Sequence, residues 1–194
     1  MAAIYILIPV AYLAGSVNIG VLLFRAAGKP DPREFFSGNP GVFNIYRQSG
    51  PAWAGVVLAL DTGRAALAAA AGLYFMPVEQ IPFVGLALIL GNRYPLFHGF
   101  QGGKGVANYL GFTMVIHPLM AGISAFLWVA VYKVARKAFV GSFAMVLVLA
   151  VGMIMKCGVG WGAVSTTLVT VGVIFWAHRP NVQAFLEKRT GTRG

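Results

Sequence analysis

A glycine-rich polar segment near the middle of the chain has the composition of an anion-binding loop. Residues 91–107 interrupt a sequence that is otherwise almost continuously apolar. Gly102, Gly103 and Gly105 allow positive φ and leave backbone N–H groups accessible, and Lys104 adds a mobile ammonium at the predicted start of a helix. Clustered N–H groups and helix N-termini bind phosphate or carboxylate. The segment therefore predicts an anion site; a turn whose glycines only permit tight packing is the alternative.

Two other polar segments and one short loop carry side chains of the same character. They contribute Ser37, Asn39, Gly41, Asn44 and Arg47 from residues 37–47, His178, Arg179 and Asn181 from residues 178–181, and Ser142 from the loop 138–142. Fixed cations, small hydrogen-bond donors and backbone N–H groups together bind phosphate well. Three histidines and five acidic residues dispersed over the whole chain suit a metal poorly. We therefore expect no metal site and no cofactor.

Several of these residues also have a structural interpretation. Asn39 and Gly41 could belong to an ordinary proline turn, and Arg47 could extend to lipid headgroups as an interfacial anchor. Asp61 and Arg64, three residues apart on one predicted helix, can pair with each other. Ionisable residues inside a membrane span indicate a functional site by default, although this pair could instead hold the helices together.

The composition indicates the kind of protein that positions these residues. The 194-residue chain is 58% hydrophobic and 10% charged, with a mean hydropathy of +0.76, whereas soluble domains carry about 25% charged residues. These values predict an all-α, polytopic membrane protein with one domain, residues 1–194. The formal net charge of +10 then reflects orientation in the bilayer and attraction to anionic lipid or phosphate.

Apolar runs separated by polar or proline-containing breaks predict seven transmembrane helices. The predicted spans are residues 3–24, interrupted by the small polar run 15–18, then 51–75, 81–91, 104–116, 118–133, 139–155 and 159–177, followed by a basic tail. Some are shorter than the ~20 residues that a membrane-spanning helix usually needs. Short segments are tolerable at membrane depth when they surround a cavity walled by protein.

The distribution of basic residues predicts the orientation of these spans. With the N-terminus outside, 13 of the 15 Lys and Arg residues, including Arg189 and Arg193, fall on the inside. Of the other two, Lys156 falls outside and Arg64 lies within a span. This asymmetry follows the positive-inside rule. We therefore predict a cytoplasmic C-terminus and expect the three polar segments to converge at the cytoplasmic face.

In this order, the three segments resemble the signatures of a known enzyme family. The motifs are Ser37-Gly38-Asn39-Pro40-Gly41-x-x-Asn44 with Arg47, Gly91-x-x-x-Pro95 through Phe100-x-Gly102-Gly103-Lys104-Gly105-Val106-Ala107, and His178-Arg179-x-Asn181. They are similar to those of the bacterial acyl-phosphate:glycerol-3-phosphate acyltransferases, and the resemblance covers nearly the whole chain. It implies a seven-span enzyme of the bacterial inner membrane that makes lysophosphatidic acid for phospholipid synthesis, with its active site at the cytoplasmic face.

The chain departs from that family's usual pattern at five positions. Ala-Thr is usual where Val42 and Phe43 stand, His where Asn92 stands, Lys where Gln101 stands, and Thr where Asn108 stands. The changes replace a small donor by a bulky aromatic ring and remove one cation and one imidazole. They leave the phosphate-binding residues in place.

The resemblance implies an acyl transfer from acyl phosphate to the 1-hydroxyl of glycerol 3-phosphate. Because an acyl phosphate is already activated, we expect direct attack without a covalent acyl-enzyme. The residues implied in binding phosphate are Arg47, Lys104, Gly102, Gly103, Asn39, Asn44, Gly41 and Ser142, and those implied in catalysis are His178, Asn181 and Ser37. Either His178 or Asn181 would support the carbonyl oxyanion, and the hydroxyl proton would pass to His178 or to a substrate phosphate.

Two other functions fit the same residues. An anion or phosphate-ester transporter could use the same basic loops, but it would need polar access from both faces of the membrane. The predicted outer loops are short and nearly uncharged, which favours an enzyme. The second alternative retains acyl transfer and changes the acceptor.

Overall fold

The protein is a bundle of helices in a computed structural model that describes residues 2–190, with side chains from residue 3 to residue 188. Arg193 lies outside the described residues, and Arg189 is described by its backbone alone. Every regular element of the described chain is helical, which confirms the predicted all-α class. The α-helices are α1 (Ala2–Ser16), α2 (Ile19–Ala26), α3 (Val42–Phe75), α4 (Ile81–Arg93), α5 (Val106–Ile116), α6 (Pro118–Ala135), α7 (Ala138–Cys157), α8 (Trp161–Ala177) and α9 (Arg179–Thr190).

The apolar helices differ in whether they are long enough to cross a membrane. α3, α6 and α7 are, by length and composition, and two bent pairs qualify if each is one span: α1 with α2, and α8 with α9. The 13 residues of α4 and the 11 residues of α5 fall short of the ~20 residues of a full span. The count of three to five agrees with a polytopic membrane protein, whereas seven spans and their orientation stay predictions.

Three predicted boundaries differ from the observed helices. The predicted span 3–24 is two helices bent by 43°, because Asn18 ends the first run and its side chain accepts a bond from the Val21 N–H of α2. α3 begins at Val42 rather than at residue 51, because a further helical segment, from Val42, precedes Gly50; the backbone of Gly50 is not helical (φ 82°), so two helical segments meet there at a kink and the second starts at the predicted residue 51. The predicted basic tail forms α9.

α4 lies at the centre of the bundle. Nine of its residues are buried, and it packs against α1, α3 and α8. Gly15 of α1 and Gly91 of α4 allow these two helices to touch backbone to backbone, since an added Cβ would collide with the carbonyl oxygen of Leu88 or of Tyr12. Small residues serve this purpose between helices in a bilayer, where dispersion contacts supply much of the association energy.

α5 is held against α3 in the same way. A Cβ added to Gly111 of α5 would lie 2.8 Å from the carbonyl carbon of Thr62 in α3. Gly63, the residue of α3 that follows Thr62, faces open space, with nothing within 4 Å of an added Cβ. The two glycines therefore form a matched pair for testing helix contact.

We expect Gly111→Ala to destabilise the protein by about 1–3 kcal/mol, because backbone atoms cannot move aside for the added methyl group. Gly63→Ala should change the stability by no more than about 1 kcal/mol, the helix-propensity difference. Thermal unfolding of both variants in detergent measures this. Equal melting temperatures for the two would contradict the close contact of α3 and α5.

Candidate active site

A cavity of about 1000 Å³ brings together most of the residues that the sequence analysis selected. Its walls include parts of α3, α5, α6, α7 and α9 and the loops that precede α3 and α5. The selected residues that line it are Ser37, Asn39, Gly41, Asn44, Arg47, Gly103, Lys104, Ser142, His178 and Asn181. Gly102 and Arg179 are the selected residues outside this lining; the guanidinium carbon of Arg179 lies 4.5 Å from the centre of the Trp176 ring. The three polar segments, far apart in the chain, therefore meet at one place.

Three helices begin at this cavity without a side-chain cap. Their N-cap residues are Gly41 for α3, Gly105 for α5 and Lys137 for α7, and first-turn residues of each helix line the cavity. The first N–H groups of a helix have no partner within it, and its N-terminus carries about half a positive elementary charge. This arrangement can bind an anion by backbone groups alone.

Lys104 stands directly before α5 and donates a hydrogen bond to Oδ1 of Asn181. Gly105, at φ 85°, makes the turn from Lys104 into α5, a backbone conformation that glycine adopts without strain. Burial lowers the pKa of the Lys104 ammonium to about 8, and the positive charge of Arg93 is the second cause. A cation that is destabilised in this way gains more than an exposed one from an anion in the same cavity.

Arg47 reaches the cavity from the first turns of α3. Its guanidinium carbon lies 5.3 Å from the centre of the Phe43 ring and 5.9 Å from that of Phe36. No hydrogen bond or ion pair to another described residue engages its five N–H donors. Arg47 can therefore give two parallel hydrogen bonds to a phosphate.

Asn44 and Ser37 shape the loop before α3. The Asn44 amide donates to the carbonyl oxygens of Pro32 (2.9 Å) and Phe35 (3.2 Å), and its Oδ1 accepts from the Ser37 hydroxyl at 3.2 Å. In this structure Asn44 does not offer its amide hydrogens to the cavity, and its predicted part in binding phosphate stays a prediction. Asn44 holds the loop that brings Ser37 to the cavity.

Asn39 and Gly41 lie in close contact at the start of α3. A Cβ at Gly41 would lie 2.9 Å from Nδ2 of Asn39, so a larger residue would displace that amide. Oδ1 of Asn39 is buried and has no hydrogen-bond partner among the residues that the structure describes. Since an unpaired buried oxygen is unfavourable, this atom is suited to accept a bond from a hydroxyl group of a bound molecule.

Gly102 and Gly103 rest on Asn92 of α4. The Gly103 N–H donates to the Asn92 carbonyl oxygen at 2.9 Å, and a Cβ at Gly102 would collide with that oxygen. In this structure the Gly103 amide is engaged by α4, and its part in phosphate binding stays a prediction. Within the described part of the chain, the N–H of Gly102 donates to no backbone carbonyl, so its predicted part in phosphate binding stays a prediction, together with that of the N–H groups in the first turn of α5.

Ser142 is also engaged within the protein. Its hydroxyl donates to the Ala138 carbonyl oxygen at 3.0 Å and accepts from Nε1 of Trp128 at 3.3 Å. A phosphate would need a donor, and the Ser142 proton is already used. In this structure Ser142 links α7 to α6, and its part in phosphate binding stays a prediction.

His178 is buried at the end of α8, with 3% of its surface exposed. Its Nδ1 lies 2.8 Å from the carbonyl oxygen of Ile174, and the ring contacts Phe143 edge to face. Because a carbonyl can only accept, Nδ1 carries the proton and Nε2 of the neutral ring is an acceptor. His178 can accept a proton but, in this form, has no N–H for an oxyanion.

Sequence reasoning missed several residues of the cavity. Lys188 lines it because the C-terminal segment forms α9, and Arg136 and Lys137 line it from the turn before α7. The positive charge of the turn was visible in the sequence, but its distance from the site was not. Apolar side chains extend the cavity between α3, α5, α6 and α7: Leu58, Leu110, Ala125, Val129 and Met145.

The sequence matches a family model and similar proteins over nearly its whole length. A family model described as glycerol-3-phosphate acyltransferase matches residues 5–188. The chain is 36% identical over 187 residues to the glycerol-3-phosphate acyltransferase of Sinorhizobium fredii, covering 94% of this chain and 90% of that one. It is 34% identical over 184 residues to that of Methylobacillus flagellatus, covering 91% and 90%.

The solved structures with a similar fold carry the same enzyme name as these relatives. Crystal structures of PlsY (YgiH), an integral membrane glycerol 3-phosphate acyltransferase, match the fold over 97% of this chain and 94% of that chain. The glycerol 3-phosphate form gives a TM-score of 0.87 at 29% identity, and the lysophosphatidic acid form gives 0.85 at 28%. The match in sequence over nearly the full length, together with the shared fold, shows that this chain belongs to the glycerol-3-phosphate acyltransferase family of integral membrane proteins.

Proposed function

We propose that the protein transfers an acyl group from acyl phosphate to the 1-hydroxyl of sn-glycerol 3-phosphate, giving lysophosphatidic acid and phosphate. The observation that carries this proposal is the cavity itself. Three uncapped helix N-termini, Arg47 and Lys104 meet at its polar part, and apolar side chains line its extension. Both substrates in the proposed reaction carry a phosphate, and one of them also carries an acyl chain.

The cations and helix ends would bind the two phosphate groups. Arg47 donates no hydrogen bond within the described part of the chain, and Lys104 has donors left besides the one that Asn181 accepts. Arg136, Lys137 and Lys188 add positive charge around the opening, and Asp61, the carboxylate among the described lining residues, is already paired with Arg64. The unpaired Oδ1 of Asn39 would accept a bond from a glycerol hydroxyl.

Acyl transfer would proceed by direct attack, without a covalent acyl-enzyme. The donor is a mixed anhydride whose phosphate leaves readily, so the protein needs to supply positioning and charge stabilisation. The hydrogen bonds of His178 and Ser37 run to Ile174 and Asn44 rather than to each other. This geometry supports attack by the substrate hydroxyl over attack by a serine activated by histidine.

Asn181 would stabilise the carbonyl oxyanion. Its Oδ1 accepts from Lys104, which leaves the two N–H donors of its amide available, whereas His178 has its N–H engaged by Ile174. The proton of the attacking hydroxyl would pass to a substrate phosphate, with Nε2 of His178 as the alternative acceptor. Ser37, whose hydroxyl donates to Oδ1 of Asn44, would hold the loop before α3 in place at the cavity.

The acyl chain would lie along the apolar part of the cavity, between α3 and α6, in contact with lipid. Leu58 and Val129 there are partly exposed at the surface of the bundle. We infer seven spans with the N-terminus outside, which places the polar part of the cavity at the cytoplasmic face of the bacterial inner membrane. The soluble substrate would then enter from the cytosol, and the lipidic one from the bilayer.

The donor and the acceptor can be tested directly with purified protein in detergent. Acyl phosphate should support transfer to glycerol 3-phosphate, and acyl-CoA should not. Turnover with acyl-CoA alone would overturn the proposed donor. Uptake of labelled glycerol 3-phosphate into sealed proteoliposomes without acyl transfer would instead favour a transporter.

Lys104→Ala should lower kcat/KM by a factor of about 10² or more, the usual effect of removing a group that stabilises transferred charge. Lys156→Ala, which removes a lysine from the last turn of α7, should leave activity unchanged. Initial rates and melting temperatures of both variants provide the measurement. Near-normal turnover by a folded Lys104→Ala variant would remove Lys104 from the mechanism.

The pH dependence of kcat/KM should report the charge of Lys104. Because its pKa is lowered to about 8, the protonated form that binds phosphate is lost as the pH rises through that value. Between pH 7 and pH 9, kcat/KM for glycerol 3-phosphate should fall about tenfold. Lys104→Arg, which stays charged over this range, should show a flat profile. An equal fall in this variant would assign the effect to another group.

His178→Asn separates the two routes for the proton. Asparagine can still donate to the Ile174 carbonyl but offers no base, so kcat should fall by no more than about tenfold if a substrate phosphate accepts the proton. Loss of kcat by 10³ or more, with KM unchanged, would make His178 the base. Asn181→Ala is the comparison: we expect it to lower kcat by about 10²–10³ through the oxyanion.

A further inference from the structure

A buried chain of hydrogen bonds runs from α3 to the loop that carries Lys104. Nη2 of Arg64 donates to Oδ1 of Asn108 at 2.7 Å, and Nδ2 of Asn108 donates to Oδ1 of Asn92 at 3.0 Å. The Asn92 carbonyl oxygen then accepts from the N–H of Gly103 at 2.9 Å. We propose that Asn92 and Asn108 are positioning residues that fix Lys104 for phosphate binding through this chain.

The hydrogen-bond chain starts at Arg64, whose guanidinium is held in place by several other contacts. Arg64 pairs with Asp61 at 2.8 Å and also donates to the carbonyl oxygens of Ala14, at 2.9 Å, and of Val17, at the end of α1. Its guanidinium is therefore held by two helices before it reaches Asn108. A group fixed on several sides loses little freedom when it makes one more bond, so it can define where the next residue lies.

The last bond of this hydrogen-bond chain is made by Gly103, the residue before Lys104. Besides the bond from Gly103, the Asn92 side chain lies against that glycine, since a Cβ there would be 2.8 Å from Nδ2. The Asn92 carbonyl oxygen also touches Gly102. Asn92 thus sets the positions of the two residues that precede Lys104, and a shift of the loop would move the ammonium away from Asn181.

Asn92 and Asn108 face each other rather than the contents of the cavity. They border the cavity, but only 5% of Asn92 and 2% of Asn108 is exposed. Both polar atoms of the Asn108 amide are engaged, by Arg64 and by Asn92. A role through Lys104 therefore explains these two residues better than contact with substrate does.

The contact also connects two of the departures noted in the sequence. Histidine and threonine are usual in the resembling family where Asn92 and Asn108 stand, and here the two positions form one hydrogen bond. Histidine is longer than asparagine and threonine is shorter, so the distance between the two helices can be spanned by either pair. A change at one position alone would leave a gap or a collision.

The test is a double-mutant cycle on steady-state kinetics in detergent. Asn92→Ala and Asn108→Ala should each raise KM for glycerol 3-phosphate about tenfold, with kcat changed less than about threefold. The double variant should resemble the singles, because the second change breaks a chain that is already broken. Ser124→Ala, which removes a buried hydroxyl bonded within α6, is the control and should leave KM unchanged.

The reciprocal exchange supplies the second measurement and does not depend on the alanine variants folding. Asn92→His and Asn108→Thr alone should raise KM, whereas the two together should return it to within about threefold of the starting value. Additive effects in either cycle, or an unchanged KM in the single variants, would overturn the proposal. It rests on the proposed role of Lys104, so Lys104→Ala is assayed alongside. An active Lys104→Ala variant would overturn the proposed role of Lys104. If that variant is inactive but the effects of the Asn92 and Asn108 substitutions are additive, only the positioning proposal is overturned.

Discussion

Backbone N–H groups without partners are unfavourable inside a membrane protein, and this protein leaves several of them around one cavity. α3, α5 and α7 each begin there after a residue that provides no side-chain cap. Glycine at two of these N-caps removes the usual Ser, Thr, Asp or Asn oxygen that would satisfy the helix end. A phosphate in the cavity would give these donors a partner, as the proposed function requires.

The surrounding bundle supplies the rigidity that such a site needs. Asp61 and Arg64 do not face substrate as an isolated pair; Arg64 closes the end of α1 and reaches Asn108. Helix contacts at Gly15, Gly91 and Gly111 bring backbones together where a side chain would separate them. Groups that bind transferred charge contribute most when they do not reorganise during the reaction.

The polar side chains of the site fall into two groups: some use their hydrogen-bond donors within the protein, and others have unused donors. Asn44 and Ser142 use their donors within the protein, whereas Arg47 and the amide N–H groups of Asn181 remain free. Both kinds of residue lie in the same motifs and have similar polarity. Residue type alone could not separate them, because the difference is which neighbour each side chain meets.

The sequence by itself determined the membrane class, the helical secondary structure and the motif residues. Hydrophobicity and glycine, proline and charge patterns act over short stretches of chain, so the apolar segments and most of their boundaries could be predicted. The family followed from the order of motifs containing Arg47, Lys104 and Asn181. The break at Asn18 and the bend at Gly50 were less accessible, since both local patterns permit either an end or a continuation of the helix.

Only the tertiary structure decided which of these residues work together. The Lys104–Asn181 contact joins residues 77 positions apart in the chain, and the Asn92–Asn108 bond joins two helices that carry different parts of one motif. The turn before α7 and the helix α9 bring three further cations to the cavity. Such long-range contacts depend on how the helices pack, and packing is set by the shapes of all their surfaces together rather than by any local pattern.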